Sequence, residues 1–231
     1  MEEFYNKKVA ENSKSVDILR KIYEIDKSNI LYLFEVKMAL LGNPHCPSDI
    51  LESVLEDRTC TEGSGVENNI RINNVIGRGK ITVSDNARVI AAKNPNCPRY
   101  LLTKILSVDS TTQELPEYNL LIEEYAAKNY RCPPDVLRIV LERGKDDGVS
   151  QNAAENPNCP SDALVMVLER GKDDKVSCNA AENPNCPPWA LQMVLEREIN
   201  DSVSHYAVRN HNCPPVVKRW WTMFHEAFPK E

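Results

Sequence analysis

The stretch DGVSQNAAENPNCPSDALVMVLERGKD, residues 147–173, is followed at once by DKVSCNAAENPNCPPWALQMVLEREIN, residues 174–200. The two align without a gap, with Val149 on Val176, Ala153 on Ala180, Asn156 on Asn183, Cys159 on Cys186 and Leu168 on Leu195. A repeat of 27 residues points to a stack of like units, each too small to bury its own apolar face and each completed by its neighbours.

The marker Asn-x-x-Cys-Pro extends in both directions from these two copies. It places Cys46, Cys97, Cys132, Cys159, Cys186 and Cys213 at one position, with spacings of 51, 35, 27, 27 and 27. The segment AENSKSVDIL reads as an earlier copy, with Asn12 in the Asn column, Ser15 in the Cys column and one residue deleted. The expected architecture is therefore all-α, a helical-repeat solenoid of seven or eight units over residues 1–231.

The residues of one unit have physical reasons to be where they are. Val149, Ala153 and Ala154 stand at helical spacing on a small inner face, which permits close approach to the next copy. The segment is short enough for either an α-helix or a 3₁₀ turn. Asn156 is expected to end it in the left-handed conformation, before Pro157, which cannot continue helical hydrogen bonding. Cys159-Pro160 is expected to open a second helix with Pro at its first position and Asp162 at its positive end. Ala163, Leu164, Val167 and Leu168 form the buried face of that helix, and Gly171 stops it.

The copies agree at these places. Leu102, Leu137, Leu164 and Leu191 share one inner column; Val54, Ile105, Val140, Val167 and Val194 a second; Leu55, Leu106, Leu141, Leu168 and Leu195 a third. The Asn column holds Asn12, Asn43, Asn94, Asn129, Asn156, Asn183 and Asn210. One amide kept in seven copies suits a structural task, a helix stop joined to a side-chain hydrogen bond to the adjoining turn.

AENPNCPSDALVMVL and AENPNCPPWALQMVL, with AKNPNCPRYLLTKIL, AKNYRCPPDVLRIVL and GNPHCPSDILESVL as looser matches, resemble the leucine-rich repeat variant family. The resemblance spans most of the chain. It implies a right-handed superhelix of alternating α and 3₁₀ helices and a general role in binding, with no catalytic residues to carry over. Two departures stand out: the family unit is near 24 residues against 27 here, and one interval between markers is 51.

The irregular places follow from that interval. Residues 57–84 hold either a degenerate copy, since 51 equals 27 plus 24, or an inserted loop or hairpin around TEGSG and KITV. The degenerate copy is the favoured expectation. The 35-residue interval before Cys132 suggests an eight-residue expansion around TTQELPEYN; expansions in repeat arrays tend to fall on one face, often the binding face. At the C-terminal end, 215–231, Trp220 and Trp221 replace Met and Val of the inner columns. They either seal the open end of the stack or form a patch for a partner or a second copy.

Three residues after each Cys stand Asp49, Tyr100, Asp135, Asp162, Trp189 and Val216. The acidic members place this position in water near a helix start. Tyr100 and Trp189 are then aromatic residues at an exposed place, either folded over the adjoining unit or available as contact residues of the kind that dominate binding hot spots.

Composition narrows the function. The net charge is −6, with zero over residues 1–30, −1 over 31–115 and −5 over 116–231, so the chain lacks the overall basic footprint of a phosphate binder. It has neither a membrane-length apolar run nor an apolar leader near Met1, and a cytoplasmic address is expected by default. Six thiols in register invite a metal or a disulfide. Stacked helices lie ~8–10 Å apart, however, while zinc needs its sulfurs at ~2.3 Å and a disulfide needs Cα atoms within ~7 Å. The cysteines are expected to be small buried fillers, with Cys60 and Cys178 outside the column. His45, His205, His211 and His225 form no metal motif, and only His205, His211 and Cys213 offer a conceivable nucleophile and base. The acid pairs Asp146-Asp147 and Asp173-Asp174 are expected to solvate turns rather than bind calcium.

The expected function is a non-catalytic scaffold, without cofactor, for a protein or peptide partner, with Tyr100, Trp189, Trp220 and Trp221 as contact candidates. The alternative is a nucleic-acid-binding repeat protein, which would need a basic stripe from residues such as Arg71, Arg78, Lys80, Arg88, Lys93 and Arg99 on one face. An enzyme would need a pocket holding a histidine or thiol with a positioned partner.

Overall fold

A computed structural model of the chain describes residues 7–24, 30–56, 83–107 and 117–227. These form fourteen α-helices in seven pairs and, among the described residues, no strand and no 3₁₀ helix. The chain divides into two compact units, Met1–Arg131 and Cys132–Glu231. The first holds α1 (Lys7–Asn12), α2 (Val16–Glu24), α3 (Ile30–Gly42), α4 (Ser48–Glu56), α5 (Val83–Lys93), α6 (Arg99–Ser107) and α7 (Glu117–Lys128). The second holds α8 (Pro134–Glu142), α9 (Gly148–Glu155), α10 (Ser161–Glu169), α11 (Lys175–Glu182), α12 (Pro188–Leu195), α13 (Ser202–Arg209) and α14 (Pro215–Ala227). No helix among the described residues is long and apolar enough to cross a membrane.

In the second unit α11 packs between α9 and α13, while α10 packs against α8, α11 and α12. Small side chains allow the first row to close up: Val149, Ala153 and Ala154 in α9, Val176, Ala180 and Ala181 in α11, Val203 and Ala207 in α13 are buried. The second row fills the space beside it with Leu137, Leu164, Leu191, Val140, Val167, Val194, Leu141, Leu168 and Leu195, all buried. The first unit repeats the scheme, with α3 against α1 and α5, and α5 against α7.

The first helix of the unit is α-helical where it is described, including α9, α11 and α13, whereas the family resemblance implies 3₁₀. Its start is set by an aspartate, expected at Asp147 and Asp174 only to solvate a turn. Asp147, Asp174 and Asp201 are N-caps, accepting from the backbone N–H of Ser150, Ser177 and Ser204 at 2.8, 2.8 and 2.7 Å. The second helix begins one residue later than expected. Pro133, Pro160 and Pro187 occupy the N-cap in extended conformation, and the carbonyl of Pro160 accepts from Ala163 and Leu164.

The asparagines end their helices differently from the expectation. Asn156, Asn183 and Asn210 have φ of −63°, −59° and −59°, and among the described non-glycine residues only Glu198 has positive φ. The following proline disfavours helical backbone at Asn156 and Asn183, and the side chain holds the extended form. Asn183 Oδ1 accepts from Asn185 N–H at 2.8 Å, and its Nδ2 donates to the carbonyls of Ala154 and Asn156, one copy earlier, at 2.6 and 3.0 Å. Asn210 repeats this on Ala181 and Asn183, as Asn129 does on Ala92 and Asn94. Each rung accepts as well as donates, for the carbonyl of Asn183 takes both Asn210 Nδ2 and Cys186 N–H at 3.0 Å.

A second ladder runs beside the first and was not anticipated. Asn185 Nδ2 donates to the carbonyls of Pro157 and Cys159, and Asn212 Nδ2 to those of Pro184 and Cys186. Asn96 reaches Cys46 in the same way.

The ladder also bears on the long interval. Residues 57–82 lie outside the described residues, as do 108–116, which hold most of the expected expansion. Their flanks are nonetheless joined directly: Asn94 Nδ2 donates to the carbonyls of Leu41 and Asn43 at 2.5 and 2.8 Å, as in the 27-residue steps. Whether residues 57–84 form a degenerate copy or an insertion falls on residues outside those described.

Candidate binding face

Places in the second helix of each pair are counted here from its marker cysteine. The third place is open to solvent throughout: Tyr100 is 52 % exposed, Trp189 57 % and Val216 80 %, and Asp49, Asp135 and Asp162 are exposed as well. Two of the acidic members, Asp49 and Asp162, are tied to the preceding copy. Arg20 of α2 donates to Asp49 of α4 at 2.5 and 2.9 Å, and Arg138 of α8 pairs with Asp162 of α10. The hydrogen bond from Arg20 holds the Asp49 carboxyl below its usual range.

In both pairs the sixth place of one copy meets the third place of the next, the first copy being counted with its deletion. By the same register the place facing Trp189 is that of Val165, which is buried where Arg138 is exposed. Trp189 thus faces an apolar place in the register, and more than half of its surface stays open.

The seventh place, read from the sequence as an inner column, is not one. Ile139 is 52 % exposed, Met166 and Met193 are partly exposed, and Trp220 is 41 % exposed. With the exposed Trp189 and Val216 they place partly or fully exposed apolar side chains on each of α8, α10, α12 and α14. The signal lies in the sequence, since this place runs Ser53, Lys104, Ile139, Met166, Met193, Trp220, turning apolar at Ile139 and staying so. Helical period alone does not assign it, because it stands at the edge of the buried arc.

The four aromatic candidates part company. Trp189 and Trp220 lie on this face, and Tyr100 lies in the other unit. Trp221 is only 4 % exposed and is corrected from contact candidate to filler, in the column of Val167 and Val194. Its ring meets His205 edge-on at 5.2 Å and His225 at 4.3 Å between centroids. Trp220 stacks on Phe224 at 5.8 Å, and Met223 beside them is 64 % exposed. On α14 two leucine columns turn polar, with Lys218 exposed and Thr222 half-buried. The apolar surface of this helix is therefore lateral, not on its stacking side.

A row of acids borders the apolar surface. Glu142, Glu169 and Glu196, at the tenth place, are all exposed. The arginine after each turns to its own helix end: Arg143, Arg170 and Arg197 donate through Nε to the carbonyls of Val140, Val167 and Val194 at 3.1, 3.2 and 3.1 Å. Arg143 and Arg197 also face the capping Asp147 and Asp201.

The marker cysteines hold no comparable chemistry. All seven described cysteines are free and buried, and Cys60 lies outside the described residues. Burial pushes the thiols of Cys46, Cys97, Cys132, Cys159 and Cys186 up to about 12, and that of Cys178 up to about 11. Cys213 is raised by the same cause, which withholds the thiolate that a nucleophile or metal ligand needs. Among the described residues no three His, Cys, Asp or Glu side chains are grouped to hold a metal ion.

Of the basic residues that a nucleic-acid groove would require, Arg71, Arg78 and Lys80 lie outside the described residues. Lys93 and Arg99 are exposed, with Lys93 Nζ 4.5 Å from the centroid of the Tyr125 ring, and Arg88 is half-buried. No family model matches the chain, and no curated protein or solved structure matches it.

Proposed function

We propose that the chain is a non-catalytic binding scaffold, a right-handed helical-repeat solenoid related to the leucine-rich repeat variant family, which holds a protein or peptide partner. The observation that carries this reading is the apolar row Ile139, Met166, Met193 and Trp220, with Trp189 beside it, left in water on four neighbouring helices. An exposed contiguous apolar surface with a polar border is the usual mark of an interaction site, and a rigid stack that fixes its side chains loses little freedom on binding. The buried, unionised cysteines support a structural role for the residue type most suggestive of catalysis.

The test is capture from a lysate by the wild-type chain and by a Trp189→Ser, Met193→Ser variant, with nuclease and at two salt concentrations. Both changes are at solvent-facing places, so circular dichroism should be unchanged. A protein retained after nuclease by the wild type and lost by the variant is the expected result. Retention abolished by nuclease would replace the scaffold reading with a nucleic-acid one, and retention unaffected by the variant would remove this face from it.

A further inference from the structure

The border of the apolar face specifies the partner more closely, on the premise that the face binds a partner at all. Glu142, Glu169 and Glu196 recur every 27 residues, the first two as the last residues of α8 and α10 and the third as the C-cap of α12. A carboxylate there meets the negative end of the helix dipole, which disfavours it. Among the described residues no cation pairs with any of the three; Glu196 accepts only from Gln192 Nε2, at 2.7 Å. The adjoining arginines are turned toward helix-end carbonyls and aspartate caps. Asp135 adds a further exposed carboxylate, while Asp162 is offset by Arg138.

Three apolar side chains and three carboxylates thus run in parallel rows, one helical turn apart, repeating once per helix pair. Packed helices are spaced roughly 8–10 Å apart, and a polyproline II segment advances ~9 Å per three-residue turn. A ligand in that conformation would present one residue to each copy in the same orientation. We infer that the face formed by α8, α10, α12 and α14 binds an extended, cationic peptide segment of a partner protein, with an apolar residue every third position and Lys or Arg offset from it. The apolar residues would lie on Ile139, Met166 and Met193, and the cations on the glutamate row. Beyond the third glutamate, Met223 takes the tenth place and Lys218 and Arg219 are exposed, so the cationic pattern should end at Trp220.

The chain has three tryptophans, two of them exposed on this face, and its intrinsic fluorescence reports binding directly. The full chain is titrated with a peptide of five Leu-Pro-Arg triplets, with its Leu-Pro-Glu counterpart, and with a peptide of the same composition as the first in blocks. The wild type should bind the first at least tenfold more tightly than either other, with affinity falling as salt rises. The triple variant Glu142→Lys, Glu169→Lys, Glu196→Lys should lose that binding tenfold or more and gain the acidic peptide. These exposed changes relieve the dipole conflict, so the variant should be at least as stable as the wild type. Equal binding of the block peptide, or indifference of the Leu-Pro-Arg peptide to charge reversal, would overturn the inference. A chain that sediments as a dimer, and as a monomer after Met193→Ser, would overturn it too, since a second copy would then cover the face. A captured partner lost with Trp189→Ser, Met193→Ser but kept by the glutamate variant would leave the scaffold reading standing and remove only the cationic chemistry.

Discussion

At the scale of the residue, the recurring asparagine is held by hydrogen bonds on both sides of its amide. Its recurrence is legible in the sequence, and so is a structural purpose. The geometry is not, because the carbonyls it serves belong to another copy and the backbone it holds is extended rather than left-handed. Asn183 is 2 % exposed, with both amide hydrogens and the oxygen engaged. Replacing it with alanine removes three hydrogen bonds, each worth about 1 kcal/mol net, and leaves the carbonyl of Ala154 without that donor. Asn183→Ala should therefore lower the unfolding free energy by about 3 kcal/mol. Asn183→Asp should cost more at neutral pH, since a carboxylate keeps the acceptor but turns a second oxygen on two carbonyls. Urea unfolding of both variants checks this. A loss below about 1 kcal/mol in each would mean that the ladder contributes little beyond shape.

At the scale of the element, the sequence is most legible where a residue acts within its own helix and least where a boundary depends on side-chain capping. The leucine and valine columns of the second helix fall inside, as their spacing predicts. The Asp-x-x-Ser start of the first helix, at Asp147, Asp174 and Asp201, is equally periodic, but at Asp147 and Asp174 it stands beside a second acid and reads as solvated turn. Ends show the converse. Gly144 and Gly171 close α8 and α10 at φ of 66° and 65°, and the equivalent residue after α12 is Glu198 at φ 55°. All three donate back to the leucine three residues earlier, at 3.1 Å, so the turn is the same and only the side chain differs. Left-handed backbone costs a non-glycine residue roughly 1–2 kcal/mol, against which glycine returns roughly 0.5–1 kcal/mol through its freer unfolded chain. Glu198→Gly should stabilise the protein by about 0.5–1 kcal/mol. Gly171→Ala should destabilise it by a similar amount, although a Cβ there would meet nothing closer than Arg197 Nη1 at 3.9 Å. Thermal midpoints moving in these opposite directions would identify backbone conformation as the cause; a lower midpoint for Glu198→Gly would refute it.

At the scale of the whole molecule, the number of units follows from counting markers, but the nature of the long interval does not follow from arithmetic. A gap of 51 residues can be divided as 27 plus 24; the rung from Asn94 to Leu41 and Asn43 shows that the flanking copies touch, and residues 57–82 between them lie outside the described residues. The exposed apolar face was half legible for a related reason: exposure at the third place follows from its acidic members, whereas the seventh place carries no polar residue from Ile139 onward to mark it as outer. The same marker that counts the units also gives the molecule a pH limit. Five marker thiols are held at about 12 by burial, against an ordinary value of 9.0. Below pH 9 folded and unfolded chains are both protonated, and the thiols leave stability independent of pH. Between about 9 and about 12 the unfolded chain releases these protons while the folded chain keeps them, so stability falls as pH rises. Each thiol steepens the fall by up to ~1.4 kcal/mol per pH unit. Cys186→Ala should have a lower unfolding free energy at pH 8 because a buried side chain is trimmed. Its decline between pH 10 and 11.5 should be shallower than that of the wild type by ~1 kcal/mol per pH unit, while the tyrosines and lysines common to both chains titrate alike. Parallel declines across that window would show that the Cys186 thiol ionises as readily in the folded chain as in the unfolded one, and the column would then be open to water on the time scale of unfolding.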